Sequence, residues 1–159
     1  MLMRNLRIIN PIRQLWIMRK EILIIEERRP MRFLFQTIFK NNFKVIFATD
    51  ALHAMAYLKS GKLPSLIIYD IQTLDISGWE FVKQLSVSHF YKKIPVVVIS
   101  NEEKVNVDPW IKEYGVISHF TKPFNPVNLV KLVDAQLNGI GVVRLLKENK
   151  VAASLSISS

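Results

Sequence analysis

The chain has 159 residues, no cysteine, half its residues hydrophobic and a net charge of +9. That suits one domain with a full apolar core, and excludes disulfides, thiolate metal sites and a disordered chain. No apolar run reaches the roughly 18 residues of a membrane-spanning helix, and the basic excess is split between both ends and the body rather than gathered into a nucleic-acid-binding stripe.

Residues 1–17 hold Arg4, Arg7 and Arg13 with no acid. They have neither the unbroken apolar core nor the cleavage site of a signal peptide. They are expected to be a poorly ordered extension, arising upstream of a natural-looking start at Met18-Arg19-Lys20. The alternative is a basic arm that touches a partner or a membrane surface. The domain proper is expected over residues 18–140.

The first regular element is a buried strand, Ile22-Leu23-Ile24-Ile25, which ends in Glu26-Glu27. Residues 31–40 predict a helix with Pro30 in its first turn, where a missing amide hydrogen costs little. Residues 43–48 predict a second strand, and residues 51–59 a second helix stopped by Gly61. A third strand, 65–70, runs through Leu66-Ile67-Ile68-Tyr69 and ends at Asp70.

Beyond a loop, Gly78 to Leu85 predicts a third helix. Pro95-Val96-Val97-Val98-Ile99 is almost wholly β-branched, which suits a strand buried on both faces. A fourth helix is expected over Pro109 to Tyr114, ended by Gly115, and a short fifth strand over Ile117 to Thr121. Residues 126–138 predict the last helix, with Val127, Leu129, Val130, Leu132, Val133 and Leu137 as its apolar set. Trp79 and Trp110 are expected to pack on the third and fourth helices. Val142 to Leu146 is expected to prolong the last helix, and the rest of the tail 141–159, rich in serine, to be disordered.

Strands alternating with helices predict an α/β fold, (βα)5, with a parallel sheet covered on both faces. Right-handed crossovers leave few topologies. The flavodoxin-like, doubly wound order 2-1-3-4-5 puts the ends of the first and third strands side by side, where ligands bind. Glu26, Glu27 and Asp70 then share one edge with Ser100-Asn101, after the fourth strand, and Thr121-Lys122-Pro123, after the fifth. Such a pocket can hold a divalent cation and can offer a carboxylate oxygen as nucleophile. Lys122 and the Ser100 hydroxyl could contact a phosphoryl group there. His53, His89 and His119 are too scattered for zinc.

These residues, in this order, resemble the receiver domain of two-component response regulators, the CheY-like family, over about residues 19–138. The resemblance rests on Ile22 through Glu27, on Leu66 through Asp70 with Gly78 eight residues on, on Pro95 through Ser100, and on Thr121-Lys122-Pro123-Phe124. It implies that Asp70 accepts phosphate from a histidine kinase or phosphotransfer protein. Glu26 and Glu27, with Asp70 and the backbone carbonyl of Gln72, match the magnesium site. Ser100 matches the hydroxyl that moves toward the phosphate, with Asn101 beside it. Lys122 matches the phosphate-contacting lysine, its bond to Pro123 cis, and His119 falls where an aromatic switch residue usually stands.

The resemblance further implies a bacterial, cytoplasmic signalling protein rather than an enzyme. Its output would be protein contact through the face of the fourth helix, fifth strand and fifth helix, which is also a place for a homodimer. No DNA-binding output domain is expected, and neither nucleic acid nor membrane is an expected partner. Several positions depart from the pattern. Glu27 stands where Asp is the direct metal ligand, and its extra methylene moves the carboxylate by about 1.5 Å, predicting a weaker magnesium site. Arg28 follows where an acid is common and competes for the carboxylates. Leu74 replaces a proline, Asn101 a small residue, and His119 a Tyr or Phe. Glu27, Arg28 and His119 favour the alternative, a pseudo-receiver that binds partners without phosphorylation. A flavin carrier on the same fold would need a Ser/Thr/Gly loop where Glu26-Glu27-Arg28-Arg29-Pro30 stands.

Overall fold

A computed structural model describes residues 19–71 and 76–139. Its five strands are β1 (Glu21–Ile25), β2 (Lys44–Ala48), β3 (Leu66–Ile71), β4 (Val96–Ser100) and β5 (Ser118–Thr121). Its five helices are α1 (Arg29–Phe39), α2 (Ala51–Lys59), α3 (Ile76–Val87), α4 (Lys104–Tyr114) and α5 (Pro126–Asn138). All strand pairs are parallel, in the order β2-β1-β3-β4-β5. This is the predicted flavodoxin-like order.

Period-two alternation divides the core into two layers. Ile22, Ile24, Leu66, Ile68, Val97 and Ile99 face α1 and α5, where Phe35, Phe39, Leu129 and Val133 meet them. Leu23, Ile25, Ile67, Tyr69, Val96 and Val98 face the other way, against Ala54 and Leu58 of α2, Phe81 and Leu85 of α3 and Val107 of α4. Burying each such Ile, Leu, Val or Phe contributes about 1.5–3 kcal/mol. Strands apolar on both faces can only sit between helical layers.

Local signals fix the helix ends. Asp50 caps α2 by accepting from the His53 amide at 2.8 Å, and Asn125 caps α5 by accepting from the Val127 amide at 2.9 Å. Gly61 and Gly115 follow their helices at φ +86° and +66°, the left-handed conformation that glycine adopts without a Cβ penalty. Trp79 of α3 and Trp110 of α4 pack against each other, ring centroids 4.9 Å apart.

The predicted fourth helix is corrected. It begins at Lys104, not at Pro109, which lies inside it. Proline suits a helix start, but here five residues precede it, a position where packing outweighs local preference. Strand β3 also runs one residue past Asp70, with Ile71 paired to Ser100. The expected extension 1–17, the tail 141–159, Gln72 and Leu74 lie outside the described residues.

Candidate functional site at the carboxyl edge of the sheet

The central strands deliver their last residues to one edge. Glu26 follows β1 directly and its amide donates to Ala48 O at 3.0 Å, prolonging the β1–β2 pairing by one residue. Asp70 is the fifth residue of β3 and pairs with Ile99. Ser100 ends β4, and the Lys122 amide donates to Ser100 O at 2.9 Å, which carries Lys122 in from the end of β5. The Lys122–Pro123 bond is cis, as expected.

Glu26, Asp70 and Ser100 are the buried polar residues of the described chain, at 1%, 3% and 3% exposure. Buried carboxylates need charged or hydrogen-bonding partners. Lys122 Nζ donates to Asp70 Oδ1. Arg28 Nη2 donates to Asp70 Oδ2 at 2.9 Å and to Glu26 Oε2 at 3.2 Å. Glu26 Oε1 accepts from Arg28 Nε at 3.2 Å and from the Arg28 backbone amide at 2.8 Å. Arg28 is the residue before α1, in extended conformation, and its side chain makes no cap bond to that helix. It reaches back across the pocket instead.

The two buried carboxyls are driven apart. Burial, then the neighbouring Glu26, pushes the Asp70 pKa up to about 6, and Lys122 opposes the rise. Burial also acts against ionisation of Glu26, but hydrogen bonds from Asp70 and Arg28 outweigh it and hold Glu26 below the usual carboxylate range. Adjacent carboxyls cannot both ionise at ordinary cost, so one keeps its proton to higher pH.

Ser100 belongs to a second group. Its Oγ lies 2.8 Å from His119 Nε2 and accepts from the Glu102 amide at 3.2 Å. Thr121 Oγ1 donates to Glu102 O at 3.0 Å. The end of β4 and the loop after it are thus each tied to β5. Burial lowers the His119 pKa, Asp108 partly opposes it and Lys104 adds to it, and His119 Nδ1 is buried without a hydrogen-bond partner among the described residues.

Of the residues singled out from sequence, Glu26, Asp70 and Lys122 come together, and Ser100 joins His119 beside them. Glu27 and Asn101 are exposed. The bond from Thr121 to the Glu102 backbone had no signal in the sequence, because it joins the end of β5 to the loop after β4. Arg28 did have one: a cationic side chain two residues from a strand-end carboxylate.

The family model for the response regulator receiver domain matches residues 22–134. This chain belongs to the response regulator receiver family. The receiver is 31% identical over 126 residues to the phosphate regulon transcriptional regulatory protein PhoB of Escherichia coli, covering 77% of this chain and 54% of PhoB. It is 26% identical over 109 residues to the sporulation initiation phosphotransferase F of Bacillus subtilis, covering 68% of this chain and 86% of that protein. It spans about half the length, 51%, of the regulatory protein VanRc of Enterococcus gallinarum. Among solved structures, the Mn2+-bound form of the response regulator Rcp1 is 27% identical with a TM-score of 0.60, covering 76% of this chain and 91% of that one.

That neighbour makes metal the next question for this receiver. Magnesium takes near-octahedral oxygen ligands at about 2.0–2.1 Å. Here both Glu26 oxygens and Asp70 Oδ2 are engaged by Arg28, and Lys122 holds Asp70 Oδ1. Glu27 is turned to solvent. Among the described residues no three metal-ligating side chains converge. As arranged, the described residues do not fit a divalent ion. No described helix is long and apolar enough to cross a membrane.

Proposed function

We propose that this receiver accepts a phosphoryl group on Asp70 and signals by protein–protein contact. The observation that carries the reading is the contact of Lys122 Nζ with a carboxylate only 3% exposed, at the carboxyl edge of the parallel sheet. In this reading an Asp70 oxygen attacks the phosphorus of a phosphohistidine on a histidine kinase or phosphotransfer protein. A P–O bond forms as the P–N bond breaks, and the imidazole leaves with the electron pair and takes up a proton. Lys122 is placed to neutralise the phosphoryl oxygens. A pKa of about 6 keeps Asp70 ionised at neutral pH, as a nucleophile must be.

The acyl phosphate would then compete with His119 for the Ser100 hydroxyl. Drawing Ser100 inward breaks its 2.8 Å contact with His119 and loosens the loop that Thr121 ties down. The change reaches the face of α4, β5 and α5, where a downstream protein or a second copy of the chain would dock. A bias of about a few kcal/mol between two existing states is enough. In this reading the receiver works in the cytoplasm, beside its phosphohistidine donor.

A second reading is a phosphorylation-independent interaction module. The 2.9 Å contact of Arg28 with Asp70 Oδ2 favours it, since the nucleophile is then held in an ion pair. Incubation with a small acyl phosphate or phosphoramidate, followed by intact mass, separates the two. A gain of one phosphoryl group that is absent from Asp70→Asn is the expected result. No gain by folded protein, with or without divalent ions, contradicts the first reading and leaves the second.

A further inference from the structure

We propose that the Arg28 guanidinium is the resident cation of the acidic pocket, standing where a divalent ion would sit, and that the receiver takes a divalent ion only when Arg28 is removed. The inference concerns the unmodified pocket and does not depend on whether Asp70 is phosphorylated.

Three observations carry it. The first is geometry. Arg28 bridges the two buried carboxylates through Nη2, at 3.2 Å from Glu26 and 2.9 Å from Asp70, while Nε takes the other Glu26 oxygen at 3.2 Å. A planar fork matched to two carboxylates is the arrangement arginine supplies and lysine does not. The oxygens it holds are those a metal would need. Its own nitrogens are all donors, so it cannot serve as a ligand.

The second is how firmly the site is built. Glu26 Oε1 also accepts the Arg28 backbone amide at 2.8 Å. One carboxylate therefore fixes both the main chain and the side chain of the same residue. Arg28 is thus held at the pocket by the chain between β1 and α1.

The third is charge. Glu26 and Asp70 face Arg28 and Lys122, two acids against two bases. The pocket is neutral when both acids are ionised. Adding a divalent ion beside these two half-buried cations would leave the pocket strongly positive, a cost that the buried carboxylates between them do not offset. Glu27, the remaining acid of the strand end, is exposed rather than turned inward to offset that charge.

Mn2+ binding, read from the loss of the free-ion electron paramagnetic resonance signal, tests this on the full chain. Wild type and Arg28→Lys are expected to leave the ion free under conditions where Arg28→Ala binds one equivalent. The gain should be about tenfold or more in affinity, the scale on which one charge in direct contact shifts a site's equilibria. Adding Asp70→Asn to Arg28→Ala should abolish the binding. Thermal melts give an independent readout: Mg2+ should raise the Tm of Arg28→Ala and leave that of wild type unchanged. Equal Mn2+ binding by wild type and Arg28→Ala, whether tight or absent, overturns the proposal. If Arg28→Ala does not fold, Arg28→Gln serves the same comparison, keeping length and hydrogen bonds without the charge.

Discussion

In the proposed phosphotransfer Asp70 carries two opposed demands: it must stay buried to be protected from water, and ionised to react. Burial and Glu26 set its pKa at about 6 against an ordinary 3.8. A raised carboxyl pKa means the native state binds the proton more tightly than the unfolded chain. The resulting stability is present in full below about 3.8 and is lost as pH rises through about 6. At about 1.4 kcal/mol per pKa unit, the loss is at most about 3 kcal/mol. Glu26, lowered from 4.5, acts in the opposite sense, its contribution fading only as pH falls below that value. His119, lowered from 6.5 by burial, also loses stability toward acid. Denaturant melts of wild type against Asp70→Asn, from pH 4 to pH 7, isolate the Asp70 contribution. The stability of wild type relative to Asp70→Asn should fall across that interval, and a pH-independent difference would show that the Asp70 pKa is not raised. The same titration predicts that phosphoryl uptake from a small donor climbs with pH and levels off above about 6.

Elements were legible where one signal had no competitor. The unbroken runs Ile22–Ile25 and Val96–Ile99 could only be two-sided strands, and α2 and α5 were bounded by their capping and flanking residues. Pro109 misled because its local meaning, a helix start, gave way to packing of the longer segment around Val107. The site was legible as far as strand ends go: Glu26, Asp70, Ser100 and Lys122 were placed at one edge by strand order alone. The rotamers of Glu27 and Arg28 were not, because which of two adjacent side chains turns inward depends on backbone angles past β1. One element is held by a missing side chain. A Cβ on Gly78 of α3 would stand 3.0 Å from Ile71 Cγ2 and 3.4 Å from Tyr69 Oη. Glycine there lets the helix approach β3 right behind Asp70. Gly78→Val should lower stability by about 1–3 kcal/mol, the usual cost of overpacking, measured by chemical denaturation. An unchanged midpoint would mean that α3 rides further from the sheet.

On the scale of the whole molecule, the two apolar layers hold the sheet rigid while the functional groups gather at its carboxyl edge. Neither α1 with α5 nor α2 through α4 supplies the reactive side chains; the strand ends and following loops do. In the proposed switch, a loop and the α4–β5–α5 face would change while Phe35, Phe39 and Leu58 stay buried in the core. Two contacts lead from the pocket toward that face, Lys122 to Asp70 and Ser100 to His119, joined by the Lys122 amide on Ser100 O. Family membership assigns the fold and the signalling class, and the chemistry at Asp70 decides between a phosphate switch and a constitutive interaction module. The most direct measurement is site mapping: the chain is treated with a small phosphodonor, reduced with borohydride, which converts an aspartyl phosphate to homoserine, and digested for peptide mass analysis. The modification is predicted at Asp70 alone. Unmodified Asp70, or modification at Glu26 or Glu27 instead, would contradict the account.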